Sequence, residues 1–116
     1  MANPTLYASG TQTAVITTEH TLSSPSEAGT YIFEIDTINM VAGDILELRI
    51  YAVNLTTGTQ RVAYLMIYYG AQPTDDVMKI SVPIGNDLVE ANALKMTLKQ
   101  TFGTGRDFPW KILKYT

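Results

Sequence analysis

The chain has 116 residues, 46% of them apolar and 16% charged, with a formal net charge of −3 and no cysteine. That is the length of one domain, enough to bury a core, and it excludes a disulfide scaffold, a cysteine-ligated zinc or iron–sulfur centre and a thiol nucleophile. One histidine, His20, leaves most other catalytic or metal constellations unfilled, while sixteen threonines and seven tyrosines give a strand-favouring, weakly charged surface.

From the N-terminus, Met1 to Pro4 shows no basic or apolar leader, and no apolar run nears the roughly 18 residues of a membrane span. The expectation is a soluble protein made in a cytoplasm, with no membrane partner. Pro4, Leu6 and Tyr7 precede the first clear alternation. They read either as an arm over about residues 1–7 that adds a strand to a neighbour's sheet, or as the approach to a first strand at Leu6 to Ser9. A strand is expected at Thr13 to Thr18. Glu19-His20 follows, with nothing at a diagnostic spacing to complete a nucleophile–base relay.

Alternation of period two then dominates. Tyr31, Phe33 and Ile35 alternate with Ile32, Glu34 and Asp36, and Leu46, Leu48, Ile50 and Ala52 with Glu47, Arg49 and Tyr51. Met78, Ile80, Val82 and Ile84 alternate with Lys79 and Ser81, and the even positions from Leu94 to Phe102 with polar odd ones. Pro109 to Tyr115 closes the series. Glycine, proline and Asn/Asp clusters stop each run. A single helical turn is allowed at Asp87 to Leu94, where Asn86 or Asp87 could cap. The fold expected is one all-β domain, an antiparallel β-sandwich of about eight strands, jelly-roll-like. Its core is expected to hold Phe33, Ile35, Leu46, Leu48, Ile50, Leu65, Ile67, Ile80, Val82, Leu94, Met96, Leu98, Trp110 and Ile112.

One strand breaks the pattern. From Val62 to Tyr69 both faces are apolar, Ala63, Leu65, Ile67 and Tyr69 on one and Val62, Tyr64, Met66 and Tyr68 on the other. A second apolar face needs a cover, either a loop or arm of the same chain or another subunit. The subunit reading puts Tyr64, Met66 and Tyr68 at a homo-oligomer contact, a trimer, with Tyr51 on the same outer surface.

Charge is uneven: residues 1–94 carry ten acids and three bases, residues 95–116 five bases and one acid. The basic C-terminal hairpin faces acidic strands of its own sheet or docks on an acidic partner; the overall balance argues against nucleic acid. Asp75-Asp76 and Asn86-Asp87 with Glu90 lack the ligand spacing of a calcium loop, and Gly103-Thr104-Gly105-Arg106 lacks the lysine and helix of a phosphate loop. No catalytic residue, metal or cofactor is expected. A structural protein of a larger assembly and a carbohydrate-binding module remain open. Trp110, sharing a face with Ile112, is expected in the core and not on a sugar platform.

Gly43-Asp44-Ile45-Leu46-Glu47-Leu48-Arg49-Ile50, Val62-Ala63-Tyr64 ahead of Gly70-Ala71-Gln72-Pro73, Lys79-Ile80-Ser81-Val82-Pro83, and Leu98 to Arg106 followed by Phe108-Pro109-Trp110-Lys111 resemble short proteins encoded by tailed bacteriophages. The resemblance spans about residues 28–115. It implies a non-enzymatic virion protein of the capsid decoration or cement type, bound to the major capsid protein at the capsid surface. A tail or baseplate component fits the same pattern.

Overall fold

In a computed structural model, which describes residues 3–115, the chain forms nine strands and, among those residues, no helix. The strands are β1 (Thr5–Thr13), β2 (Glu19–Ser23), β3 (Gly29–Asp36), β4 (Ile45–Val53), β5 (Gln60–Tyr69), β6 (Met78–Ile80), β7 (Ile84–Asn86), β8 (Leu94–Phe102) and β9 (Asp107–Tyr115). One sheet runs β1-β9-β3, with β6 and β7 end to end on the far edge of β3; the other runs β2-β8-β4-β5. All pairings are antiparallel. With β6 and β7 counted as one interrupted strand, the first strand pairs with the last, the second with the last but one, the third with the sixth and the fourth with the fifth. That is an antiparallel ribbon rolled into two sheets, the jelly-roll arrangement.

The core sits where alternation is unambiguous. Tyr31, Phe33 and Ile35 of β3, Leu46, Leu48 and Ile50 of β4, Leu94, Met96 and Leu98 of β8, and Phe108 and Ile112 of β9 are buried. On each strand charges mark the other face: Glu34, Glu47, Lys95 and Lys111 hold the phase, because turning the strand over would bury them unpaired. Each fully buried large side chain contributes about 1.5–3 kcal/mol.

Four expected core residues lie outside. Leu65, Ile67, Ile80 and Val82 are exposed, and Trp110 is half-buried at the core margin with its ring laid over Gly10, where a Cβ would come within 3.3 Å of it. For Ile80 and Val82 the cause is one extra residue. β3 steps back three positions from Glu34 to Tyr31 while its partner advances four, from Ile80 to Ile84. The insertion at Ser81-Val82-Pro83 inverts the faces, so Ile84 packs on the core while Met78 and Ile80 face out. Ser81 turns inward instead: its N–H donates to the Phe33 carbonyl and its hydroxyl oxygen accepts from the Phe33 N–H.

Thr13 to Thr18 is a turn beyond Thr13 and not a strand, since Thr17 sits at φ 67° and pairing resumes only at Glu19. The helical turn is also absent. Asn86 accepts from the Leu88 N–H and donates to the Glu27 and Leu88 carbonyls, an Asx turn, and Asn92 lies at φ 60°.

Candidate functional site

A sandwich has four sheet edges, each a row of unpaired backbone groups that invites another strand. Three are blunted here. β6 and β7 are three residues each, separated by Pro83, and Lys79 points inward with its side chain only 9% exposed, paired with Asp76 at 3.2 Å. β2 has five residues and begins at Glu19. β1 carries a bulge at Tyr7 and runs beside β2 at the corner of the sandwich.

β5, like β1, carries a bulge but has none of the other protections: it is not short, carries no inward lysine and no proline, and does not run beside a strand of the other sheet. It is ten residues long, contains no proline or glycine, carries one charge at Arg61, and nothing among the described residues pairs with its outer edge. Its only irregularity is at Ala63, where the register against β4 shifts between Ile50↔Tyr64 and Tyr51↔Val62. From Tyr64 to Tyr69 the strand is regular.

The pairing with β4 settles the two faces. Tyr64 lies opposite Ile50, Met66 opposite Leu48 and Tyr68 opposite Leu46, so these three face inward, and Tyr64 and Tyr68 pack on the core. Burial pushes the Tyr64 phenol up, and burial, with Tyr64 and Asp76 alongside, pushes Tyr68 up to about 12. The Lys79 ammonium stands 5.0 Å from the Tyr68 ring centre. Facing outward are Leu65, Ile67 and Tyr69, 44%, 38% and 68% exposed. Tyr69 adjoins Ile45, which adjoins Phe102 across the sheet, above a hollow of about 660 Å³ lined also by Ala42, Gly43 and Ala71.

The expected contact set is therefore split. Tyr64 and Tyr68 pack on the protein's own core, Met66 shares their face but stays 38% exposed, and Tyr51 lies on the opposite face. Tyr51 belongs to a polar network: its hydroxyl donates to Glu19 Oε2 at 2.5 Å, Thr97 donates to the same oxygen at 2.7 Å, and Lys95 Nζ lies 4.4 Å from the Tyr51 ring centre. Burial works against the Glu19 charge, but the bonds from Tyr51 and Thr97, with Arg49 and Lys95 nearby, outweigh it and hold the carboxyl below its usual range. The bond to Glu19, then burial, raises the Tyr51 phenol.

The expected docking arm is part of the sandwich. Leu6 and Tyr7 lie in β1 paired with β9, and Tyr7 meets Tyr31 edge to face at 5.3 Å; Pro4 precedes the strand, exposed, and Met1 and Ala2 lie outside the described residues. Leu6 remains 61% exposed and borders a hollow of about 310 Å³ on the outer face of its sheet, with Glu34, Asp36, Met78 and Pro109. Three of the five basic side chains of the C-terminal hairpin are matched within the chain. Arg106 pairs with buried Asp44 at 3.0 Å, Lys114 with Glu27 at 3.0 Å and Lys111 with Glu34 at 3.8 Å. His20 holds the β1–β2 turn, its Nε2 accepting from the Val15 N–H. Among the described residues no three His, Asp or Glu side chains gather as a metal site; Asp76 pairs with Lys79 and the Glu90 carboxylate accepts from the Thr57 N–H.

The outward row Leu65, Ile67, Tyr69 is what sequence reasoning missed. The signal lay in the neighbouring strand: β4 has an unambiguous phase, and pairing β5 to it fixes which residues share the inner face. Comparison with protein-family models, curated proteins and solved structures returned no match, so the functional argument rests on this chain's own surface.

Proposed function

We propose that this chain is a non-enzymatic structural protein of a phage particle, decorating or cementing the capsid by binding the major capsid protein as an oligomer. The observation that carries the reading is the retention of large apolar side chains on two separate faces while most of the basic side chains of the C-terminal hairpin pair within the fold. Monomeric proteins rarely expose contiguous apolar patches beyond a few hundred Å², and larger ones mark contacts with other proteins. The jelly roll alone assigns no role. The phage setting comes from the sequence resemblance, and the two surfaces divide the work. The β5 side of the four-stranded sheet meets copies of the chain, and the hollow bordered by Leu6 and Met78 meets the shell.

The test uses particles of the phage that encodes the chain. Mass spectrometry of purified particles finds it in many copies, and protein added to particles lacking it rebinds saturably and holds at high salt, because apolar burial is not screened. Leu6→Asp abolishes rebinding with an unchanged melting curve. Absence of the chain from the particles contradicts the reading.

A further inference from the structure

We propose that β5 pairs with β5 of a second copy of this chain, antiparallel about a twofold axis at Met66–Ile67, joining two four-stranded sheets into one of eight strands. The proposal deepens the self-association part of the reading above.

The occupant must first of all be a strand. The outer edge of β5 presents a row of backbone donors and acceptors with no partner among the described residues, and a strand laid alongside satisfies all of them at once where a side-chain surface cannot. The other edges are short, run beside a strand of the other sheet, or carry an inward lysine, whereas beyond its bulge at Ala63 β5 leaves six regular residues open.

Charge selects the second copy and the direction. Arg61, at the start of β5, is its only charge, and the turn just past its other end carries exposed Asp75 together with Asp76, which is paired with Lys79. Antiparallel pairing about Met66–Ile67 carries Arg61 of each copy toward the 70–76 turn of the other. A parallel pair sets Arg61 against Arg61, and like charges opposed across strands are destabilising.

The register follows from the regular stretch. Paired residues of antiparallel strands share a face, and the break at Ala63 confines regular pairing to Tyr64–Tyr69, so the axis falls on Met66 or Ile67. With the axis on Met66, Leu65 stands opposite Ile67 of the second copy; with it on Ile67, Ile67 meets its own equivalent. Either way the Leu65, Ile67 and Tyr69 rows of two copies merge into one apolar strip on the outer face. A strand pair of this length buries less than the roughly 1,600 Å² of a standard interface, so the association is expected at about micromolar to tens of micromolar concentration.

The experiment is sedimentation equilibrium of the full chain, from about 1 to 200 µM, with charge variants at exposed Ile67, which is opposite its equivalent or diagonal to it in both registers. The wild type is expected to move from one to two chain masses. Ile67→Lys and Ile67→Glu alone are each expected to stay monomeric over the whole range, and their equimolar mixture to recover the dimer. Leu65→Lys and Leu65→Glu repeat the comparison should either Ile67 variant unfold. A monomer throughout, a trimer mass, unaltered dimers from the single variants, or a mixture that stays monomeric each overturns the proposal. Presence in the phage particle is read separately, so a monomer found on particles overturns the β5 pair and leaves the virion role standing, and a dimer absent from particles does the reverse.

Discussion

β8 and β5 are long strands of the same sheet, separated by β4 alone, yet they behave differently. β8 alternates cleanly, with Leu94, Met96 and Leu98 buried between β2 and β4 and Lys95 and Lys99 turned to the outer face. β5 is apolar on both faces and, among the described residues, pairs on one side only. Polar residues at every second position, Lys95 and Lys99 among them, tell a strand which way to face. With a single charge at one end, β5 takes its facing from β4 and keeps an open edge. The strand least legible in the sequence is also the one whose edge is proposed to meet a second copy.

Truncation gives the widest separation of the two regions. Leu98→Ala is expected to cost about 2–5 kcal/mol, a buried methyl cluster lost with a cavity left behind. Leu65→Ala, measured in dilute solution, is expected to change stability by no more than about 0.5 kcal/mol. Thermal or urea unfolding reads both, and equal losses would erase the distinction.

Next in size is the end of the sandwich behind β8. Gln100 is fully buried, donating from Nε2 to the Phe102 and Thr104 carbonyls and accepting at Oε1 from the Arg106 N–H. Gln100→Ala strands these groups at about 1–3 kcal/mol for each one left without water or a partner. Gly103, at φ 94°, is fixed there too, because a Cβ would run into the Asp44 carboxylate. Gly103→Ala is expected to lower the melting temperature, while Gly70→Ala, at φ 73° with open space around its Cβ position, is expected to carry only the backbone strain.

Two pH effects are smaller. The carboxyl of Glu19 is lowered from its usual 4.5, so its contribution is present above pH 4.5 and lost as pH falls through the lower folded value; Glu19→Gln is expected to flatten that acid limb of the stability curve. Tyr68 is raised from 10.0 to about 12, so its contribution is whole below pH 10 and lost as pH rises toward 12. Tyrosine absorbance titration is expected to show a late-ionising phenol that Tyr68→Phe removes.

How far the sequence discloses the fold follows the same logic. The strands and inner faces of β3, β4 and β8 are legible because polar and apolar residues alternate over most of their length, with Ile32, Ile45 and Gln100 among the exceptions. Met78 to Ile84 alternates as cleanly and misleads, because the extra residue at Ser81-Val82-Pro83 inverts the faces, and Pro83 is its one local signal. Phe108, fully buried, sits beside Pro109 at the start of β9, where alternation has too few residues to declare itself. The β1–β2 turn hides because Val15, Ile16 and Thr17 have strand-forming side chains, while Thr17 takes a left-handed backbone. That β5 is the exceptional strand is legible in its residues; which of its faces looks outward is not, since only the register with β4 decides it.

Amide hydrogen exchange followed by NMR from dilute to concentrated protein tests most directly that the open edge of β5 is where this protein meets its own copy. The account predicts that added protection on concentration is confined to β5, in alternate amides between Tyr64 and Tyr69 whose N–H groups point away from β4. The amides bonded to β4 should stay protected throughout. Protection gained instead on β1 or β6, or unchanged exchange along β5 at every concentration, would contradict it.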